Sequence, residues 1–118
     1  MPGAVALLLG LLMVVCGAAV SLVNRRAADG RLGRNAVAGI RTGATLRSDA
    51  AWRAGHAAAQ GSSDVSGAVF AVTGLVAMVV RDAPWFAGVL LVGAHAGLVP
   101  LLVGVRRAVV AARGADGP

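Results

Sequence analysis

Three uncharged apolar runs, with one polar interval between the first and second, set the pattern of this chain. From Ala4 to Val23 there are twenty consecutive residues without a charge. A helix of that length crosses a hydrocarbon core of ~30 Å at ~1.5 Å per residue. Within it Gly10, Gly17 and Ser21 fall along one stripe, the kind of small-residue face that lets helices pack closely in lipid. The second run, Val65 to Val80, is only sixteen residues. To span, its helix must start near Ser62, which puts Asp64 within a turn of the interface, as an anchor rather than a proton carrier. Arg81-Asp82-Ala83-Pro84 makes a tight connection, with Pro84 suited to the first turn of a helix. The third span runs from Trp85 to about Val105. It carries an aromatic anchor at Trp85 and Phe86, a small face at Gly93 and Gly97, and a kink-prone Pro100.

The polar interval, residues 24–61, breaks this regularity. Asn24-Arg25-Arg26 ends the first helix at a membrane surface. Gly30, Gly33, Gly39 and Gly43 with scattered arginines then read as a loop with short turns near Asn35–Ala38. Ser48 or Thr45 can cap a helix beginning at Asp49. Gly61-Ser62-Ser63 supplies a break point after it, and the pattern leaves open whether this helix runs on into the second span. The expected fold is therefore an all-α membrane protein of one domain, residues 1–118. It has three transmembrane helices (about 4–23, 62–80 and 85–105), and a motif loop with a short interfacial helix joins the first two. A C-terminal tail (106–118) follows the third, with its polar end after Arg113 expected to be disordered.

Composition agrees with lipid as the solvent. Of 118 residues, 58% are hydrophobic and 14% charged, against ~45–50% and ~25% in soluble domains. The net charge of +6 comes from eleven Arg against five acidic residues. Seven Arg lie between the first and second spans, three follow the third, and Arg81 alone lies in the short turn. By the positive-inside rule the loop and C-terminus are cytoplasmic, facing the anionic leaflet of a cell membrane, with the N-terminus outside. This placement, with few aromatics for stacking, accounts for the charge without nucleic acid. Cys16 is alone, so it forms no intramolecular disulfide and reads as a buried small hydrophobe. The first run lacks a basic leader and is expected to be retained rather than cleaved.

Most of the polar chemistry lies between Gly39 and His56. On a helix Asp49, Trp52, Arg53 and His56 are neighbours at spacings of three and four. Asp49 can pair with Arg53, Trp52 can dip into the interface, and Arg41 and Thr42 can fold back onto the indole. Two readings follow: a binding site for an anionic headgroup, peptide or partner protein, or a staple docking the loop on the bundle. Deeper in the membrane, Thr73 and His95 lie ten and twelve residues from the turn near residue 83. Their matched depths predict a hydrogen-bonded pair, read either as a proton or ligand site or as a neutral His satisfied within the bundle.

The same stretch carries a resemblance. Gly39-Ile40-Arg41-Thr42, followed by Thr45, Ser48, Trp52 and His56 and preceded by Asn35, resembles the signature of the SdpI-type membrane protein family over roughly residues 31–105. The resemblance implies a cytoplasmic-membrane protein whose motif residues would be Gly39, Arg41, Thr42, Ser48, Trp52 and His56. It also implies a role in immunity, sensing or envelope protection against a secreted toxic peptide, with that peptide or a regulatory protein as partner.

Catalysis has little support in the sequence. Asp49 and His56 are seven residues apart, about 10 Å along a helix, too far for a catalytic hydrogen bond. His56 and His95 lie at different depths, and with one Cys and no Glu metal ligands are scarce. No enzyme activity, metal or cofactor is expected. The alternative function is a small homo-oligomeric channel or holin-like protein, with His95, Thr73 and Asp64 as its polar path. A structural subunit of a larger complex is a third reading.

Overall fold

A computed structural model describes residues 3–115. Its helices are α1 (Gly3–Ala28), α2 (Asp49–Val79) and α3 (Ala83–Arg113), and a 3₁₀ turn, Thr45–Arg47, precedes α2. Each helix is long and apolar enough to cross a membrane. The bundle is a rod of 53 × 21 × 19 Å, close to the ~46 Å expected of a 31-residue helix.

The central helix is α2, which packs along both α1 and α3. The chain runs up, down and up, so α1 and α3 are parallel and both antiparallel to α2. The α1–α2 contact is set by the small-residue stripe. A Cβ placed on Gly10 would stand 2.6 Å from the carbonyl oxygen of Gly74, and Gly17 and Gly67 press on each other's carbonyls in the same way one layer along. Without side chains the two backbones meet directly, the arrangement lipid-embedded helices favour. On the other side of α2, Gly93 receives Thr73 and Gly97 receives the ring of Phe70. Ser66 there donates to the Gly97 carbonyl at 2.8 Å.

The point left open at Gly61-Ser62-Ser63 is answered, since no break occurs there, and several expectations are corrected. The helix that begins at Asp49 is continuous through Val79, so the separate short interfacial helix is the first part of a long one. Ser62 and Ser63 stay helical because both are buried against neighbouring chain, Ser62 taking a bond from Arg107. The first helix continues past Asn24 to Ala28, with Ala27 fully buried.

The third helix likewise continues to Arg113 rather than dissolving into a tail at 106. Ala108 and Ala112 are buried, and the Arg47 guanidinium bonds the carbonyls of Ala112 and Ala115, both at 2.7 Å. A cation on the last carbonyls of a helix satisfies acceptors that would otherwise lack partners. Residues 116–118 of the expected tail lie outside the described residues. Cys16 is exposed rather than buried, because its neighbour Gly17 takes the packing side and Cys16 is turned ~100° away.

Candidate functional site

The loop between α1 and α2 closes onto the first turns of α2, and each contact follows from local chemistry. Ser48 is extended, and its hydroxyl accepts from the Ala51 N–H at 3.0 Å, which caps α2. Upstream, Thr42 and Thr45 exchange bonds. The Thr42 N–H donates to Thr45 Oγ1 at 2.9 Å and the Thr45 N–H to Thr42 Oγ1 at 3.1 Å. Thr45, fully buried, also donates to the Ile40 carbonyl at 2.6 Å. Asn35 organises the preceding turn, accepting from the N–H groups of Val37 and Ala38 at 2.8 and 2.7 Å, as Asx turns do.

Trp52 and His56 form the seat on which this loop rests. The indole is 1% exposed and the imidazole 0%, with ring centroids 4.2 Å apart. Trp52 Nε1 donates to the Leu32 carbonyl at 2.7 Å. His56 Nδ1 meets the Trp52 carbonyl at 2.7 Å, and the Ile40 N–H donates to Nε2 at 2.9 Å. A carbonyl only accepts and an amide N–H only donates, so the ring is neutral with its proton on Nδ1. Burial pushes the His56 pKa below its ordinary value, against an opposing pull from the bond to Trp52.

Gly39 lies directly over the two rings. Its φ is +106°, and a Cβ there would stand 2.7 Å from Trp52 Cη2 and 3.0 Å from His56 Nε2. The position therefore needs glycine twice, for its dihedral and for its space.

A polar seam continues from this seat along α1. Asn24, 4% exposed, donates through Nδ2 to the His56 carbonyl at 2.8 Å and to Gln60 Oε1 at 2.7 Å. Gln60 Nε2 donates to Asp64 Oδ1 at 2.7 Å. Asp64 also accepts from the Ser21 hydroxyl and pairs with Arg25 at 3.4 Å. The His56 carbonyl, Gln60 and Asp64 on this face of α2 thus each have a partner on α1.

The candidate residues fall into two sets. Gly39, Thr42, Ser48, Trp52 and His56 come together as one clasp. Arg41 joins it from outside: its Nε donates to the Asn35 carbonyl at 2.9 Å, so it braces the turn instead of stacking on Trp52. Trp52 is inside the fold rather than dipped into the interface, because the loop covers it. Asp49 pairs with Arg34 at 2.9 Å rather than with Arg53.

The Thr73–His95 pair does not form. Thr73 Oγ1 donates to the Val69 carbonyl at 2.7 Å, and His95 Nδ1 meets the Leu91 carbonyl at 2.7 Å while the ring is exposed. Depth matches but azimuth does not. Thr73 faces Gly93, and His95, two residues on, is turned ~200° from that face. Among the described residues, no three His, Cys, Asp or Glu side chains cluster as a metal site.

The model of the SdpI/YfhL protein family matches residues 31–104 of the 118. The chain belongs to the SdpI/YfhL protein family. No curated protein and no solved structure gives a match. The SdpI/YfhL match begins at Arg31 and ends at Gly104, so it takes in the clasp, all of α2 and two-thirds of α3, and leaves α1 outside. Asn24 and Gln60, which lock α1 to the His56 carbonyl, were not singled out from the sequence. Asn24 sits where a helix terminus was expected, and the hint to its role was an amide following an uncharged span.

Proposed function

We propose that the chain works without catalysis in a bacterial cytoplasmic membrane, as an immunity, sensing or envelope-protection factor against a secreted toxic peptide. The observation that carries this reading is the clasp. A loop of the SdpI/YfhL-matched region is seated on Trp52 and His56 at the end of the bundle where ten of eleven arginines lie. Arginine excess is usual on the cytoplasmic side, which supports a topology with the clasp and the C-terminus inside and the 80–82 turn outside. Arg41 and Arg53 are exposed beside the clasp and would meet the anionic leaflet or a bound partner.

The test is survival. Cells lacking the gene are exposed to medium conditioned by the parent strain, then complemented with wild type, Trp52→Ala or His56→Ala at matched membrane levels. Killing of the deletion strain, rescued by wild type and by neither variant, supports the proposal. A deletion strain as hardy as its parent overturns it.

The alternative, a homo-oligomeric channel or holin-like protein, draws on one observation, that His95 is exposed partway along α3. It expects His95→Ala to change ion leakage from proteoliposomes and the clasp variants to leave leakage unaltered.

A further inference from the structure

The loop does more than cover Trp52. With α1, α2 and α3 it borders a half-open cleft of about 270 Å³ at the loop end of the bundle, lined by Val20, Val23, Asn24, Ile40, Ser63 and Leu101 among others. The walls are almost wholly apolar, yet one buried polar atom of a lining residue, Asn24 Oδ1, lacks a partner among the described residues. Asn24 commits both bonds of its Nδ2 to His56 and Gln60, which leaves Oδ1 buried and unpaired. Ser63, 2% exposed, is the second polar residue on the same lining, and its hydroxyl can both donate and accept. A buried polar group without a partner is costly to leave unpaired. An orphaned amide oxygen and a serine hydroxyl on one small apolar cleft mark a place built to receive a polar atom.

We propose that this cleft binds a hydroxyl-headed membrane amphiphile, its chain against Val20, Val23, Ile40 and Leu101 and its hydroxyl between Asn24 Oδ1 and Ser63 Oγ. The chemistry selects the headgroup. Asn24 Oδ1 can only accept and Ser63 can do either, so the ligand must bring a donor. A phosphate or ester oxygen brings none, whereas a hydroxyl both donates and accepts. Depth agrees, since Ser63 sits just before the apolar run that opens at Val65, the level at which hydroxyls of membrane lipids lie between tails and water. The proposal stands whether or not the chain confers protection, since it is read from binding alone.

The test uses the full chain in phosphatidylcholine vesicles, with Trp85→Phe leaving Trp52 as the only indole. Gly39, which lines the cleft, abuts Trp52, so a heavy atom in the cleft lies near the reporter. The probe is a monoacylglycerol brominated along its chain, titrated at low mole fraction against the matching brominated fatty-acid methyl ester, which has no donor. The expected result is saturable quenching of Trp52 by the monoacylglycerol at a mole fraction about tenfold below that of the ester, the worth of one hydrogen bond. Ser63→Ala should erase that difference, and Leu101→Phe should remove the saturable phase while the helical circular dichroism stays unchanged. Quenching that rises in proportion to mole fraction, equally for both probes and in every variant, overturns the proposal. So does saturable binding that fails to distinguish the two probes.

Discussion

The Ile40 N–H donates to His56 Nε2 at 2.9 Å, and the acceptor exists only while the imidazole is neutral. Both partners of the ring are backbone groups, so no carboxylate offsets a proton on Nε2. The folded-state pKa of His56 lies below its ordinary value of 6.5. The unfolded or opened loop therefore binds the proton more readily. The clasp's stabilisation is complete above pH 6.5 and declines as pH falls from there through the lower, folded pKa. The protection factor of the Ile40 amide, its exchange corrected for the intrinsic pH dependence of an open amide, should fall across that acid window and stay flat above it. His56→Ala should lower that protection roughly tenfold at neutral pH and abolish its pH dependence. Protection in wild type that ignores acidification would show that the bond does not hold the loop.

Gly39 and Gly43 are four residues apart in the same loop and should respond oppositely to alanine. At Gly39 the added Cβ meets Trp52 and His56 on a backbone with φ +106°, so Gly39→Ala must lift the loop from its seat. A loss of roughly 2–4 kcal/mol is expected, combining strain with lost packing. At Gly43 a Cβ meets nothing within 4 Å, and Gly43→Ala should be neutral or stabilising by about 0.4–1 kcal/mol. Denaturation in detergent, followed by Trp52 fluorescence in a Trp85→Phe background, reads both.

What could be read without coordinates divides by range. The three spans, the Gly10–Gly17 face, the Ser48 cap and the grouping of Trp52 with His56 all follow from spacing along one helix or from uncharged length, which are local properties. The failures and the points left open are long-range. Gly61-Ser62-Ser63 could be a break or a continuous helix until Arg107 and the neighbouring helices are seen to bury it. Residues 106–113 look like a tail until Arg47, far back in the chain, ties down the end of α3. Trp52 looks interfacial until Leu32 is found above its Nε1. Each needed to know which distant segment arrives, and no periodicity carries that.

Thr73 and His95 illustrate the same limit and give a negative prediction. Each bonds the carbonyl one turn back on its own helix. Because they do not touch, Thr73→Val and His95→Leu should be additive in a double-mutant cycle, with a coupling within ~0.3–0.5 kcal/mol of zero. The single changes should differ. Thr73→Val alters packing against Gly93, while His95→Leu replaces an exposed polar ring with an apolar side chain in the lipid and should be tolerated. Coupling well above that bound would mean that α2 and α3 turn relative to one another in the membrane and bring the two side chains together.

The strongest sign reversal is expected within α2 itself. Gly61 and Gly67 occupy the same helix, six residues apart, and in isolation each should gain ~1 kcal/mol from alanine through helix propensity. At Gly61 a Cβ meets nothing within 4 Å, so Gly61→Ala should be stabilising by about that amount. At Gly67 the Cβ would press into the Gly17 carbonyl, a backbone atom that cannot swing aside. Gly67→Ala must therefore separate α1 from α2, and with them the Ser21–Asp64 and Asn24–His56 bonds farther along the same seam. The expected loss is roughly 1–3 kcal/mol, the cost of overpacking a close interface. Because α1 would then be held less firmly at the clasp, Ile40 exchange should quicken in Gly67→Ala although the substitution is more than two helical turns from His56. Thermal denaturation of the two variants in one detergent checks the sign, and equal stabilisation by both would mean that the glycine-to-glycine contact does not set the spacing of α1 and α2.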